Sequence, residues 1–291
     1  MTDDKNERGV LAPDTEILEI ELRAERAQPV VELLSEATGL SKTRVKDAMR
    51  KGAVWLRRPG AGTRAKRLRR ASSVLARGEI VALNYNPAIL AATAPQPDLV
   101  ADHDAYSVWF KPAGLMSSGS RFGDHHAIVR VVEQRLDRAS FIVHRLDRAT
   151  RGLMVLAHRR KAAAALAAQF RDRAVRKIYQ AEVAGRLDAP LTLIAPVDGK
   201  RARSRVTPHR FDARWSLVTV ELETGRRHQI RAQLAAIGHP VLGDRLYGPG
   251  EPAQDLRLVA VELEFTCPDS GKPARFRIDA TRALFDPETA I

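Results

Sequence analysis

A single carboxylate set among cations is the part of this chain best placed to do chemistry. Asp147 lies in His144-Arg145-Leu146-Asp147-Arg148, between the apolar run Phe141-Ile142-Val143 and a second run from Leu153 to Ala157. A strand, a short charged turn and another strand would present Asp147 at a sheet edge. A cationic field there keeps a carboxylate ionised and draws an anionic substrate to it. Taken alone, the tetrapeptide fits a turn aspartate with solvated arginines just as well. Two later segments add partners: Lys177-Ile178-Tyr179-Gln180-Ala181-Glu182-Val183-Ala184-Gly185, and the run from Glu223 through His228-Gln229-Ile230-Arg231 to Gly248. Strand alternation puts Tyr179 on one face with Ala181 and Val183, which by itself reads as cross-strand packing. On a helix from Arg227, the residues Ile230, Leu234 and Ile237 share an apolar face, and Arg231 is turned about a quarter-circle from Ile230. From there a guanidinium would reach a carboxylate in a cleft and orient it by a bidentate pair. A solvated arginine on a basic helix fits the helix alone.

These three segments, in this order, resemble the RluA-type pseudouridine synthases, which isomerise uridine in RNA. The resemblance covers roughly residues 104 to 280. The reaction breaks a carbon–nitrogen glycosidic bond, turns the uracil and rejoins it through carbon, with no hydrolysis and no cofactor. One carboxylate can do this, by attacking the anomeric carbon or by shepherding an elimination from its neighbour. Glycoside hydrolases use two facing carboxylates and a water, and the motif offers one. The resemblance makes Asp147 the catalytic residue, Arg231 its partner and Tyr179 the ring that lies against the uracil. Arg145 becomes an RNA contact, filling the gap left by an extruded base or holding a phosphate. His144 is read as structural, Lys111-Pro112-Ala113-Gly114-Leu115 as a fold-forming strand and turn with a second use in RNA contact, and Gly243 to Gly248 as a structural loop. Arg151 departs from the pattern, since a small residue is usual there; a phosphate contact or a crowded cleft is the expected consequence. The stretch Met116 to His126 departs too, near the expected substrate side. His125, His126 and His228 lack the carboxylate or cysteine companions of a metal site, so no metal is expected.

The elements that must position these residues form an α+β chain. Strands are expected at Ser107–Lys111, Phe141–His144, Gly152–His158, Ile178–Gly185, Leu217–Glu223, Leu256–Phe265 and Arg275–Ala280. Helices are expected at Ala127–Arg135, Arg160–Arg171 and Arg227–Ile237. Without regular βαβ alternation this predicts a mixed, mainly antiparallel sheet as the catalytic domain, over 105–285. The resemblance implies the pseudouridine synthase fold. Ahead of it, residues 1–14 read as a disordered lead, 15–85 as a small α+β RNA-binding module, and the proline- and alanine-rich stretch 86–104 as a linker. In the module, Gln28-Pro29 opens a helix that Gly39 stops, and Ser41 caps a second helix that ends at Gly52. Strands follow over Ala53–Arg57 and Glu79–Tyr85. The second helix carries Lys42, Arg44, Lys46, Arg50 and Lys51, the residues expected to bind RNA, and Arg64 to Arg70 extends that face. The arrangement resembles the RNA-binding module of ribosomal small-subunit proteins.

Composition agrees. With 48 Lys and Arg against 35 Asp and Glu, the 291-residue chain has a formal net charge of +13, which points to a polyanionic partner. No basic amphipathic helix with a Trp or Phe face suggests a membrane surface. Cys267 is the only cysteine, so neither a disulfide framework nor a thiolate metal site is expected. No signal-peptide core or spanning apolar run is present, and a cytoplasmic monomer acting on RNA is the expectation. Ribosomal RNA is favoured over transfer RNA, on the resemblance of the N-terminal module. The other reading is a degenerate relative that binds or chaperones RNA without isomerising it. Asp147, Tyr179 and Arg231 together weigh against that reading, and Arg151 weighs for it.

Overall fold

The computed structural model describes residues 17–60, 62, 64–249 and 255–279, so the expected disordered lead lies outside the described residues. Two compact units emerge: residues 1–93 with 119–126, and residues 94–118 with 127–291.

The N-terminal unit contains β1 (Leu18–Arg23), β2 (Gln28–Pro29), α1 (Val30–Thr38), α2 (Lys42–Arg50), β3 (Val54–Arg57), β4 (Lys66–Arg67), β5 (Val74–Leu75), β6 (Ile80–Tyr85) and α3 (Pro87–Ala91). A sheet of order β1-β6-β3-β4 carries a core of Val30, Leu34, Val45, Met49, Val54, Val81 and Leu83. Local chemistry sets the helix ends. Gly39, at φ 72°, closes α1, and the Ser41 hydroxyl accepts from the Arg44 N–H at 3.3 Å to cap α2.

The second unit contains β7 (Asp98–Asp102), β8 (Tyr106–Lys111), α4 (Ile128–Leu136), β9 (Phe141–Ile142), β10 (Arg151–Ala157), α5 (Arg160–Arg171), β11 (Arg176–Ala184), β12 (Leu191–Leu193), β13 (Ser204–Phe211), β14 (Trp215–Leu222), α6 (Gln229–Ala236), β15 (Leu258–Thr266) and β16 (Pro273–Arg277). One sheet runs β12-β13-β14-β11-β15-β10-β8-β7, with β16 beside β15 and β9 beside β10. Only β10 and β15 pair in parallel; the rest is antiparallel, as the α+β reading requires. Alternation along β10 feeds both faces: Leu153, Val155 and Ala157 join the α5 side, while Met154 and Leu156 join Trp109, Ile128 and Val132 under α4. On β11, Ile178 faces the α5 side, and Tyr179, Ala181 and Val183 pack toward Ile230 and Leu234 of α6. Gly152 (φ 117°) makes the parallel contact feasible, because a Cβ there would stand 2.2 Å from the Ala260 carbonyl oxygen.

The stretch 86–104 is not a plain linker. Pro87 pre-organises the first turn of α3 instead of breaking it, with the Asn86 side chain accepting from Ile89 N–H at 3.0 Å, and Leu90 enters the N-terminal core. Leu99 and its neighbours pair with β8 as an edge strand. In the second unit, three strands that the sequence reading left unassigned are β7, β12 and β13.

Candidate active site

The Asp147 turn is held by the segment that follows β8. The Ser117 hydroxyl donates to the Leu146 carbonyl at 2.6 Å and accepts from the Leu146 N–H at 3.0 Å. Gly114 N–H donates to the Arg148 carbonyl at 2.8 Å, and Arg148 Nε returns a bond to the Gly114 carbonyl at 3.1 Å. Lys111 is fully buried, with its Nζ on the carbonyls of Pro112 (2.9 Å), Leu115 (2.8 Å) and Arg148 (3.3 Å). Burial lowers the Lys111 amine to about 7; Asp147 opposes that shift, and Arg151 and Arg148 add to it. Lys111 therefore clamps the turn from beneath, rather than meeting RNA. His144 is structural as expected. Its ring stacks on Phe170 at 4.3 Å and its Nε2 accepts from the Val155 N–H at 3.0 Å, while burial, with help from Lys177, takes it down to about 3.

Across from this turn, α6 is locked by a buried amide network. The Gln229 Nε2 donates to the Arg203 carbonyl (3.0 Å) and Ser204 hydroxyl (2.9 Å). Its Oε1 accepts from the Thr224 hydroxyl (2.7 Å) and the Arg226 N–H (3.0 Å). This ties the loop before α6 to β13, with His228 in a left-handed conformation (φ 55°) at the helix start.

Between the two supports opens a cleft of about 590 Å³, within the size range of small-ligand sites. It is lined by Arg145, Asp147, Lys177, Tyr179, His228 and Arg231, among others, and Asp147 is its sole carboxylate. Arg231 Nη1 stands 3.6 Å from one Asp147 oxygen, and His228 Nε2 stands 3.7 Å from the other. Neither Asp147 oxygen accepts a hydrogen bond from a described residue, so its lone pairs face the cleft. Tyr179 is buried below; burial, reinforced by the Asp147 charge, raises its phenol, which stays protonated.

The expected bidentate pair has a different acid. Arg231 Nε and Nη2 grip Asp244 at 2.7 Å each, and that carboxylate also accepts from the N–H groups of Leu246 and Tyr247. Burial would raise the Asp244 carboxyl, but Arg231 and those two N–H groups outweigh it and hold it low. The guanidinium is thus aimed by Asp244, with the Tyr247 ring 5.3 Å beneath it, and only its third nitrogen addresses Asp147. Asp244, Gln229 and the proximity of His228 to Asp147 were missed in the sequence. The one available signal was the unexplained Gly243-Asp244 pair, where a Cβ on Gly243 would stand 2.1 Å from the Asp255 carbonyl oxygen.

Arg151 neither crowds the cleft nor serves a phosphate. It is buried, its guanidinium is paired with Asp255, and it does not line the cleft. Lys42, Arg44, Lys46, Arg50 and Lys51 lie on or just after α2 in the N-terminal unit. Among them Lys51 is tied down, to Asp47 at 2.8 Å and the Leu90 carbonyl at 2.7 Å. In the basic stretch 64–70, Arg67 and Arg69 both pair with Asp124, which makes them fold contacts.

Comparison with known proteins identifies the family. The RNA pseudouridylate synthase family matches residues 105–236. The dual-specificity RNA pseudouridine synthase RluA of Vibrio parahaemolyticus is 33% identical over 236 residues, covering 70% of this chain and 92% of that protein. The chain belongs to the RluA-type RNA pseudouridine synthases. Ribosomal large subunit pseudouridine synthase D of Zymomonas mobilis is 38% identical over 161 residues, 46% of this synthase and 51% of the relative. The solved structure of human RNA pseudouridylate synthase domain containing 1 superposes with a TM-score of 0.54 at 20% identity, over 64% of this chain and 84% of that one, which shows the shared fold.

Proposed function

We propose that Asp147 is the catalytic residue of this synthase, acting in the cytoplasm as a monomer on structured ribosomal RNA without a cofactor. The observation that carries this reading is a carboxylate with unoccupied lone pairs, flanked at 3.6 and 3.7 Å by Arg231 and His228. Such a carboxylate can attack C1′ of the target uridine, with the C1′–N1 electron pair leaving on the uracil. Equally, it can take the C2′ proton as the uracil departs. In either case the detached ring turns, C5 closes the new bond to C1′, the carboxylate is regenerated, and the proton that leaves C5 is balanced by one gained at N1, so the product is an isomer of the substrate. Tyr179 supports the ring by stacking; its protonated phenol is a donor and not the acceptor of the C5 proton. Arg145 holds the RNA beside the extruded nucleotide.

Ribosomal RNA is favoured by the two-helix basic module ahead of the catalytic unit, where Arg44 and Lys46 would add phosphate contacts. The test is pseudouridine mapping of total RNA from source cells with and without the gene, complemented by wild type or by Asp147→Ala. A large-subunit site lost on deletion and restored only by wild type is expected. A lost transfer RNA site would move the substrate assignment. If no site is lost, the chain is an RNA-binding relative without turnover.

A further inference from the structure

The turn that ends α5 carries a residue its backbone does not favour. Arg173 N–H donates to the Phe170 carbonyl (3.4 Å) and Ala174 N–H to the Gln169 carbonyl (2.9 Å), the paired bonds of a Schellman ending. Arg173 occupies the left-handed position of that motif, at φ 62°, where glycine is usual. Three other non-glycine residues among those described have positive φ, namely Asp137, Asp198 and His228. All three belong to types that tolerate this region, and arginine does not. Arg173 nevertheless projects an exposed guanidinium with no hydrogen-bond or ion-pair partner, onto the ridge between the cleft and a second hollow of about 510 Å³. Two arginines of the second hollow are matched, Arg176 to Glu221 at 2.9 Å and Arg203 to Glu223 at 3.2 Å.

Lys177, four residues further on in β11, also has no partner among the described residues. It lines the cleft on the Tyr179 side, with its Nζ 4.0 Å from where a Gly225 Cβ would stand. Both side chains line the same cleft. Burial lowers the Lys177 amine, and the Arg173 charge lowers it further. Two unpaired cations on one cleft wall, one of them on an unfavourable backbone, are stabilised by a shared anion. Resting on the reading of this cleft as the RNA site, we propose that Arg173 and Lys177 form a clamp for one phosphodiester of the RNA strand flanking the target uridine, at the rim where the strand leaves the cleft toward the second hollow.

Arg173→Gly separates charge from fold, because it removes the cation and places the favoured residue at the turn. Binding of uridine-containing RNA stem-loops is measured against salt in an Asp147→Asn background, which needs no turnover, alongside thermal denaturation. The expected result is an unchanged or higher melting temperature with a log–log salt slope reduced by about 0.7. Arg173→Lys should keep the wild-type slope, Lys177→Gln should lose a similar amount, and KM in the active enzyme should rise more than kcat falls. A wild-type slope in both Arg173→Gly and Lys177→Gln overturns the clamp. Absence of pseudouridine formation by wild type would instead sink the reading of the cleft, leaving the binding result to stand by itself.

Discussion

In the N-terminal unit, several of the cations that the sequence offers for RNA have a counter-charge close by. Lys42 meets Glu32 at 3.3 Å, Arg50 and Lys51 share Asp47, and Arg67 and Arg69 share Asp124. Around the cleft of the second unit unmatched cations gather: among the described residues Arg145, Arg173, Lys177 and Arg227 have no acid or carbonyl partner, while Arg231 is bidentate to buried Asp244 and Arg171 to exposed Asp172. Matched cations are spent on holding chain segments together, whereas unmatched ones raise the local potential and await an anion. Basic composition therefore says that RNA is a partner, but the pairing pattern says which cations are available to it. Within the cleft the same contrast separates the aimed group, Arg231, from the free ones.

Breaking the buried pair of the cleft, Arg231 with Asp244, should have the largest effect. Asp244→Asn leaves Arg231 buried without its anchor, a change that costs about 3–5 kcal/mol when one partner of a buried pair is removed. A guanidinium displaced by an ångström is expected to lower kcat by roughly 100-fold, with little change in RNA affinity. The pH dependence carries a sign. The Asp244 carboxyl is held below its ordinary value of 3.8 in the folded state, so the folded chain binds fewer protons than the unfolded one. Its stabilisation is complete above 3.8 and is lost as pH falls through the folded value. Denaturation measured across the acid range should show that slope in wild type and its absence in Asp244→Asn; equal slopes and equal kcat would remove Asp244 from the positioning role.

Removing a free cation should be milder. Arg145→Ala deletes an exposed guanidinium with no hydrogen bond or ion pair among the described residues, so melting should be unchanged. RNA affinity should fall by roughly tenfold, the order expected for one charged hydrogen bond, and the salt slope should drop by about 0.7–0.9. A loss of stability without a change in slope would place Arg145 among the matched cations instead.

How much of this was legible depends on range along the chain. Periodicity and capping gave α5 at Arg160–Arg171 and the Ser41 cap, because those depend on neighbours a few residues away. The alternation that puts Tyr179 with Ala181 and Val183 was likewise local. What escaped was long-range: Asp244 gripping Arg231, Lys111 reaching the Arg148 carbonyl, Asp255 neutralising Arg151. Asp147 and Arg231 could be named from their motifs, yet their 3.6 Å approach without a bidentate bond depends on a second carboxylate, Asp244, that no spacing rule connects to either. The linker reading of 86–104 failed for a related reason. Leu90 and Leu99 are worth burying only because a core and an open strand edge await them, and prolines at helix starts look like prolines in linkers until that context exists.

The smallest effect tests whether pairing also sorts the N-terminal cations. Lys46 is exposed on α2 with no partner among the described residues, while Lys51 at the end of the same helix is tied to Asp47 and to the Leu90 carbonyl. Lys46→Ala should leave the melting temperature in place and weaken RNA binding by no more than about fivefold, the scale of one exposed charge worth up to ~1 kcal/mol. Lys51→Ala should do the opposite, lowering stability because it frees the Leu90 carbonyl and half the counter-charge of Asp47, with the salt slope of RNA binding retained. The pair is measured by thermal denaturation and by binding to one RNA at several salt concentrations. If Lys51→Ala loses slope as Lys46→Ala does, the amine exchanges its protein partners for phosphate, and pairing in the free protein ceases to distinguish fold contacts from RNA contacts in this unit.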